Sequence, residues 1–166
     1  MQDDVVALFA YDRWANTQGP RRLPQADRRT VCRGAGPGVV VGALDHLPHH
    51  PGDRVPPATL AGDPDDSIPT EADLATVDDA ARLLERAYRR FEELRPTLTP
   101  DRLNTLLTLH PPGFTATLPR WAMLRHIVNH STYHRGQVAS KLKRFGIEQP
   151  VSDFFFWVIE QIPQEA

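Results

Sequence analysis

The stretch from Leu118 to Phe145 constrains the fold of this chain most. Its apolar residues Trp121, Leu124, Ile127, Val128, Val138 and Leu142 recur at intervals of three, four or their sums, and neither proline nor glycine falls between Pro119 and Gly136. That period predicts a long amphipathic helix, which must bury one stripe against other elements. The same helix carries His126-Ile-Val-Asn-His130-Ser-Thr-Tyr-His134-Arg-Gly-Gln137, with its histidines four residues apart. Side chains at that spacing stand one above the other, so two imidazoles can reach the same metal ion. His130 and His134 fall on or near the apolar stripe and are expected to point inward, where an imidazole needs a partner. Hydrogen bonds to neighbours would satisfy that need as readily as a metal. His126 stands as a third ligand, a donor behind the ligands, or a rim residue.

Two further helices have clear boundaries. Residues 3 to 18 place Val6, Phe9, Ala10, Trp14 and Thr17 on one side, with Gly19-Pro20 as a stop signal. Residues 76 to 94 begin at Thr76, a good N-cap, and end before Pro96; Ala80, Leu84, Ala87, Tyr88, Phe91 and Leu94 form the apolar face. A last short helix, started by Ser152 or Asp153 after Pro150, is expected to bring Phe155, Trp157, Val158 and Ile162 to the end of a bundle. Pro111-Pro112-Gly113 reads as a turn. Three long helices with short connections predict an all-α helical bundle, which calls for a fourth long member.

That member would come from residues 19 to 62, a window holding 7 of the 16 prolines and 7 of the 10 glycines. Such density opposes a continuous helix, so an irregular segment is expected there. Only Val39 to Leu47 is helix-compatible. Yet this window holds His46, His49 and His50, the remaining histidine cluster, and any third ligand from outside the main helix would come from it.

At 166 residues the chain suits a single domain, 1–166, with enough length for a core. Its net charge of -2, from 19 Lys and Arg against 21 Asp and Glu, supplies no electrostatic footprint for nucleic acid. No apolar run approaches the roughly 18 to 20 residues a membrane span requires. The single cysteine, Cys32, rules out an internal disulfide, and no apolar N-terminal segment resembles a signal peptide. Both point to a cytoplasmic location.

Three segments resemble the DinB family of DinB/YfiT-like metalloenzymes: Leu8-Phe-Ala-Tyr-Asp-Arg-Trp-Ala-Asn16, Gly42-Ala-Leu-Asp-His46-Leu followed by Gly52-Asp-Arg-Val55, and Asn129-His-Ser-Thr-Tyr-His-Arg-Gly-Gln137. The resemblance implies an up-and-down four-helix bundle holding a divalent metal, zinc or nickel, through three histidines. By motif match these are His46, His130 and His134. It makes His126 a donor behind the ligands and gives Asn129 and Arg135 either a packing role or a part in orienting the ligands. It also implies a homodimer. The sequence departs from the family after His46, where Leu-Pro-His-His-Pro intervenes before Gly52, with Pro56-Pro57 where a helix would carry on. His49 and His50 therefore rival His46 for the third position.

Two functions are compatible with such a centre. Some relatives transfer low-molecular-weight thiols or use them as cofactors, and the resemblance extends that expectation here: a metal-dependent thiol transferase or hydrolase acting on a small-molecule substrate. A metal held by neutral imidazoles lowers the pKa of a bound thiol or water, so no protein cysteine is needed and Cys32 reads as a bystander. The alternative is a non-catalytic metal-binding protein of stress or damage response, acting as a dimer. An enzyme should show an open cleft beside the metal, lined by polar groups such as Arg13, Arg54 or Arg135.

Overall fold

A computed structural model describes residues 2–22, 77–109, 113–144, 146–148 and 151–163. Helix α1 spans Gln2–Arg22, α2 Val77–Leu94, α3 Pro100–Asn104, α4 Arg120–Arg144 and α5 Phe154–Gln161, with strands β1 at Leu106–Leu109 and β2 at Ala116–Pro119. The described chain is mostly helical. The fourth long helix of an up-and-down bundle was expected between residues 19 and 62; apart from the end of α1, that window lies outside the described residues, as do His46, His49, His50, Cys32 and Arg54.

The core forms where α1 crosses α4 and α2 closes over them, gathering Val5, Phe9, Phe91, Leu124, Ile127 and Val128. Phe9 and Phe91 stack with ring centroids 3.8 Å apart. The sequence pattern places the faces of α2 and α4 correctly: Leu84, Tyr88 and Phe91 are buried on one, Leu124, Ile127, Val128 and Leu142 on the other. The face of α1 is rotated from the expected one. Val5, Phe9, Asp12 and Asn16 are buried, whereas Ala10 is exposed and Val6, Trp14 and Thr17 are half-buried. Nor does α1 stop at Gly19-Pro20; it runs on to Arg22. Pro20 removes one backbone donor, and near a helix end that loss does not break the preceding turns.

An all-α chain was the expectation, and the antiparallel pair β1–β2 corrects it. Leu106 pairs with Pro119 and Leu109 with Ala116. The helix expected from Leu118 consequently begins at Arg120. The ring of Pro119 disfavours a helical conformation at Leu118 and leaves it extended, so the strand ends where the helix begins. Gly113, at φ 90°, takes a turn conformation in the connection that a side chain would resist.

Asp153 caps α5, its side chain accepting a hydrogen bond from the Phe155 backbone N–H at 2.9 Å. The expected burial of that helix is only partial. Trp157 and Val158 are half-buried, but Phe155 and Ile162 are 63% and 55% exposed. An eight-residue helix packed on one side cannot cover four consecutive large residues, and no residue of α5 is buried. No described helix is long and apolar enough to cross a membrane.

Candidate metal centre and the polar network beside it

Helix α4 brings His130 and His134 together as their spacing requires: the two Nε2 atoms lie 2.8 Å apart. Their rings meet edge to face, with centroids 4.4 Å apart. His134 is buried and His130 half-buried. On its other side the His134 Nδ1 sits 3.0 Å from Gln137 Oε1. A carbonyl oxygen only accepts, so this contact calls for the tautomer with its proton on Nδ1, which would leave Nε2 as the acceptor toward His130.

His126 does not join them. It is exposed, and its ring stacks on that of His130 at 5.3 Å. Among the described residues no three His, Cys, Asp or Glu side chains come together as a metal site would need. Two donors are therefore in place on α4, and a third would have to come from outside the described residues, where His46, His49 and His50 lie. The donor set fits a borderline divalent ion. Two nitrogens bound tetrahedrally at about 2.0–2.1 Å sit about 3.3 Å apart, so this pair would need to open only slightly.

One step around α4 lies a buried polar network that sequence reasoning missed. Arg135 donates from Nη1 to Asp12 Oδ1 at 2.6 Å and to Ser131 Oγ at 2.9 Å. From Nη2 it donates to Tyr11 Oη at 2.9 Å and Thr132 Oγ1 at 2.7 Å. Tyr88 donates to the other carboxylate oxygen of Asp12 at 2.6 Å. The Asn16 Nδ2 lies 2.8 Å from Tyr88 Oη and 3.1 Å from both Asp12 Oδ2 and Ser131 Oγ. Asp12 is 1% exposed and Arg135 9%, so the charge of each is neutralised inside the protein by the other. Burial, and next the negative charge of Asp12, push the Tyr88 hydroxyl well above the usual tyrosine range and hold it neutral.

Of the groups expected to orient ligands or line a cleft, Arg135 is committed to this ion pair and also borders the cleft on the far side of α4, and its Nε is buried with no hydrogen-bond partner. Arg13 is exposed and pairs with Glu85 at 2.7 Å. Asn129 is exposed and turned away from the histidines. It borders a cleft of about 840 Å³ between α1, α4 and α5, with Leu8, Tyr11, Thr132, Phe154 and Phe156. At 100° per residue, the α4 residues of that cleft lie roughly 150° around the helix from His130. The cleft and the histidine pair thus occupy opposite sides of α4.

The missed residues had a signal. Val5, Phe9, Asp12 and Asn16 follow a four-three-four spacing, and Leu124, Ile127, Ser131, Arg135, Val138 and Leu142 keep to intervals of three and four. Polar residues inside an apolar stripe must find partners on the facing helix. Gln137 carries its own signal, standing three residues after His134 and therefore beside it on the helix.

None of the curated proteins compared with this chain matches it. The family model described as DinB family matches residues 63–164, which take in α2 through α5 and both histidines of α4 but not His46 or the first helix. With more than half of its length matched, and the Asn129 to Gln137 motif within that match, the chain belongs to the DinB family.

Proposed function

We propose that this protein binds a divalent metal ion, zinc or nickel, through His130, His134 and His46. The observation that carries this reading is the convergence of the His130 and His134 Nε2 atoms to 2.8 Å. Two neutral imidazoles facing each other through these atoms share one hydrogen, an arrangement better explained by a cation that both can face than by packing alone. A bound ion would supply Lewis-acid chemistry, holding a low-molecular-weight thiol or a water and lowering its pKa. The role of the chain in this chemistry is to present the two nitrogens and to keep them in place through α4, which the Asp12–Arg135 pair anchors to α1.

On this basis the protein is a metal-dependent thiol transferase or hydrolase acting on a small molecule. A non-catalytic metal-binding role in stress or damage response is the second reading. It is favoured by a cleft among the described residues that lies on the side of α4 away from the histidines. A homodimer accords with both, since Phe154, Phe155 and Phe156 of α5 are exposed and offer apolar surface that a partner copy would cover. Sedimentation as a monomer at micromolar concentration would remove the dimer.

The test is metal analysis of untagged protein, then titration of the single variants. His130→Ala and His134→Ala should each abolish tight zinc or nickel binding, and His126→Ala, whose exposed ring only stacks on that of His130, should weaken it less than either. His46→Ala should lose binding and the His49→Ala/His50→Ala double variant retain it; the reverse result would transfer the third position to His49 or His50. A screen of the metal-loaded protein with thiol cofactors separates the two readings. Turnover would support the enzyme, and tight metal binding without turnover the non-catalytic role.

A further inference from the structure

We infer that Gln137 is a positioning residue that selects the tautomer of His134, and with it the nitrogen presented toward His130. This rests on the metal-binding reading above and deepens it. A neutral imidazole carries one proton, and whichever nitrogen holds it cannot ligate. With Gln137 Oε1 3.0 Å from Nδ1, the proton is held on the outer nitrogen and the inner one, 2.8 Å from His130 Nε2, keeps its lone pair. The position on the helix makes the contact local: Gln137 follows His134 by three residues, so the amide reaches the ring without help from another element.

The two histidines are then unequal. In the metal-free protein His134 Nε2 accepts, so His130 must donate from its own Nε2. His134 is prepared to ligate as it stands. His130 has to move its proton from Nε2 to Nδ1 before its Nε2 lone pair can take part, and no atoms are gained or lost in that exchange. A carbonyl oxygen behind one ligand therefore sets which histidine is ready first and which must rearrange. Arg135 and Asn129, the other polar members of the motif, make no such contact: both border the cleft on the far side of the helix, and Arg135 is bound to Asp12.

The experiment is long-range ¹H–¹⁵N NMR of the histidine rings in metal-free protein at a pH about two units above the ordinary histidine range near 6.5, paired with zinc titrations. In the unaltered protein His134 should carry its proton on Nδ1 and His130 on Nε2. Gln137→Leu should move the His134 proton toward Nε2 while leaving the helical circular dichroism unchanged, and zinc affinity should fall by about 10- to 100-fold. Gln137→Glu, which keeps an acceptor at that place, should retain the Nδ1 proton and restore affinity. A His134 ring that keeps its proton on Nδ1 in Gln137→Leu, or carries it on Nε2 in the unaltered protein, would overturn the assignment. Because the tautomer is read without metal, failure of the unaltered protein to bind zinc or nickel would sink the metal-binding reading, and the ring spectra would still decide the role of Gln137.

Discussion

Two faces of helix α4 handle polar groups in opposite ways. On the Ser131–Arg135 face, a carboxylate, a guanidinium, an amide and four hydroxyls close on one another across α1, α2 and α4. Charge meets opposite charge. On the His130–His134 face, two groups of the same kind are brought nose to nose. The first arrangement pairs its charges and specifies how three helices sit together; the second turns two imidazole nitrogens on one point, which does little for packing. Within one helix, structure and candidate chemistry are thus kept on different sides.

Variants can break that division or sharpen it. The largest loss of stability is expected from Asp12→Ala, which leaves the buried Arg135 guanidinium without its counter-charge; such losses run to about 3–5 kcal/mol. Urea unfolding should register it, and a loss below about 1 kcal/mol would show that water reaches Arg135 and that the network is not closed. Tyr88→Phe should cost less, roughly 1–3 kcal/mol, because it strips one hydrogen bond from a buried carboxylate and another from Asn16.

Tyr88 also gives the division a pH signature. Its folded pKa is raised above the unfolded value near 10.0, so the stability it adds is fully present below about pH 10 and is lost as pH rises through the folded value. Stability of the unaltered protein should fall in strongly alkaline buffer, with the tyrosinate absorbance contributed by Tyr88 appearing only as the protein unfolds; Tyr88→Phe should flatten that fall. An absorbance rise from all three tyrosines at the ordinary pH, without unfolding, would contradict it. The smallest effect on stability belongs to the other face. His130→Ala in metal-free protein should shift unfolding by under about 1 kcal/mol, since the ring is only half-buried and stands outside the Asp12–Arg135 ion pair. A loss as large as that of Asp12→Ala would mean that the histidine pair is a structural element after all.

Much of the helical layout was legible because long apolar stripes advertise themselves. The helix read at 76 to 94 is found at Val77–Leu94, and the one read at 118 to 145 at Arg120–Arg144. The last helix was placed to within a residue, its start read at Ser152 or Asp153 and found with Asp153 as its cap. The hairpin was not seen. Four-residue strands such as Leu106–Leu109 are too short to show a period, and the turn at Pro111-Pro112-Gly113 was recognised without the pairing around it. The histidine pair was legible because a four-residue spacing fixes which side chains meet within one helix. Asp12, Asn16 and Tyr88 were not, because their partners lie 72 to 123 positions away in the chain and Tyr88 passes for an ordinary member of an apolar face. Local spacing carries no information about what a facing helix will bring.

Tyr11 has a consequence for the order of events during synthesis. Its hydroxyl accepts from Arg135 and donates to the Ser152 carbonyl at 2.9 Å, while Trp14 of the same helix donates to Glu160 at 2.9 Å. The partners of Tyr11 and Trp14 are 141 and 146 residues further along the chain. At about 5–20 residues per second, α1 emerges from the ribosome many seconds before either acceptor exists. Until then Tyr11 and Trp14 lack these two acceptors, so α1 gains its full set of contacts only when α5 arrives.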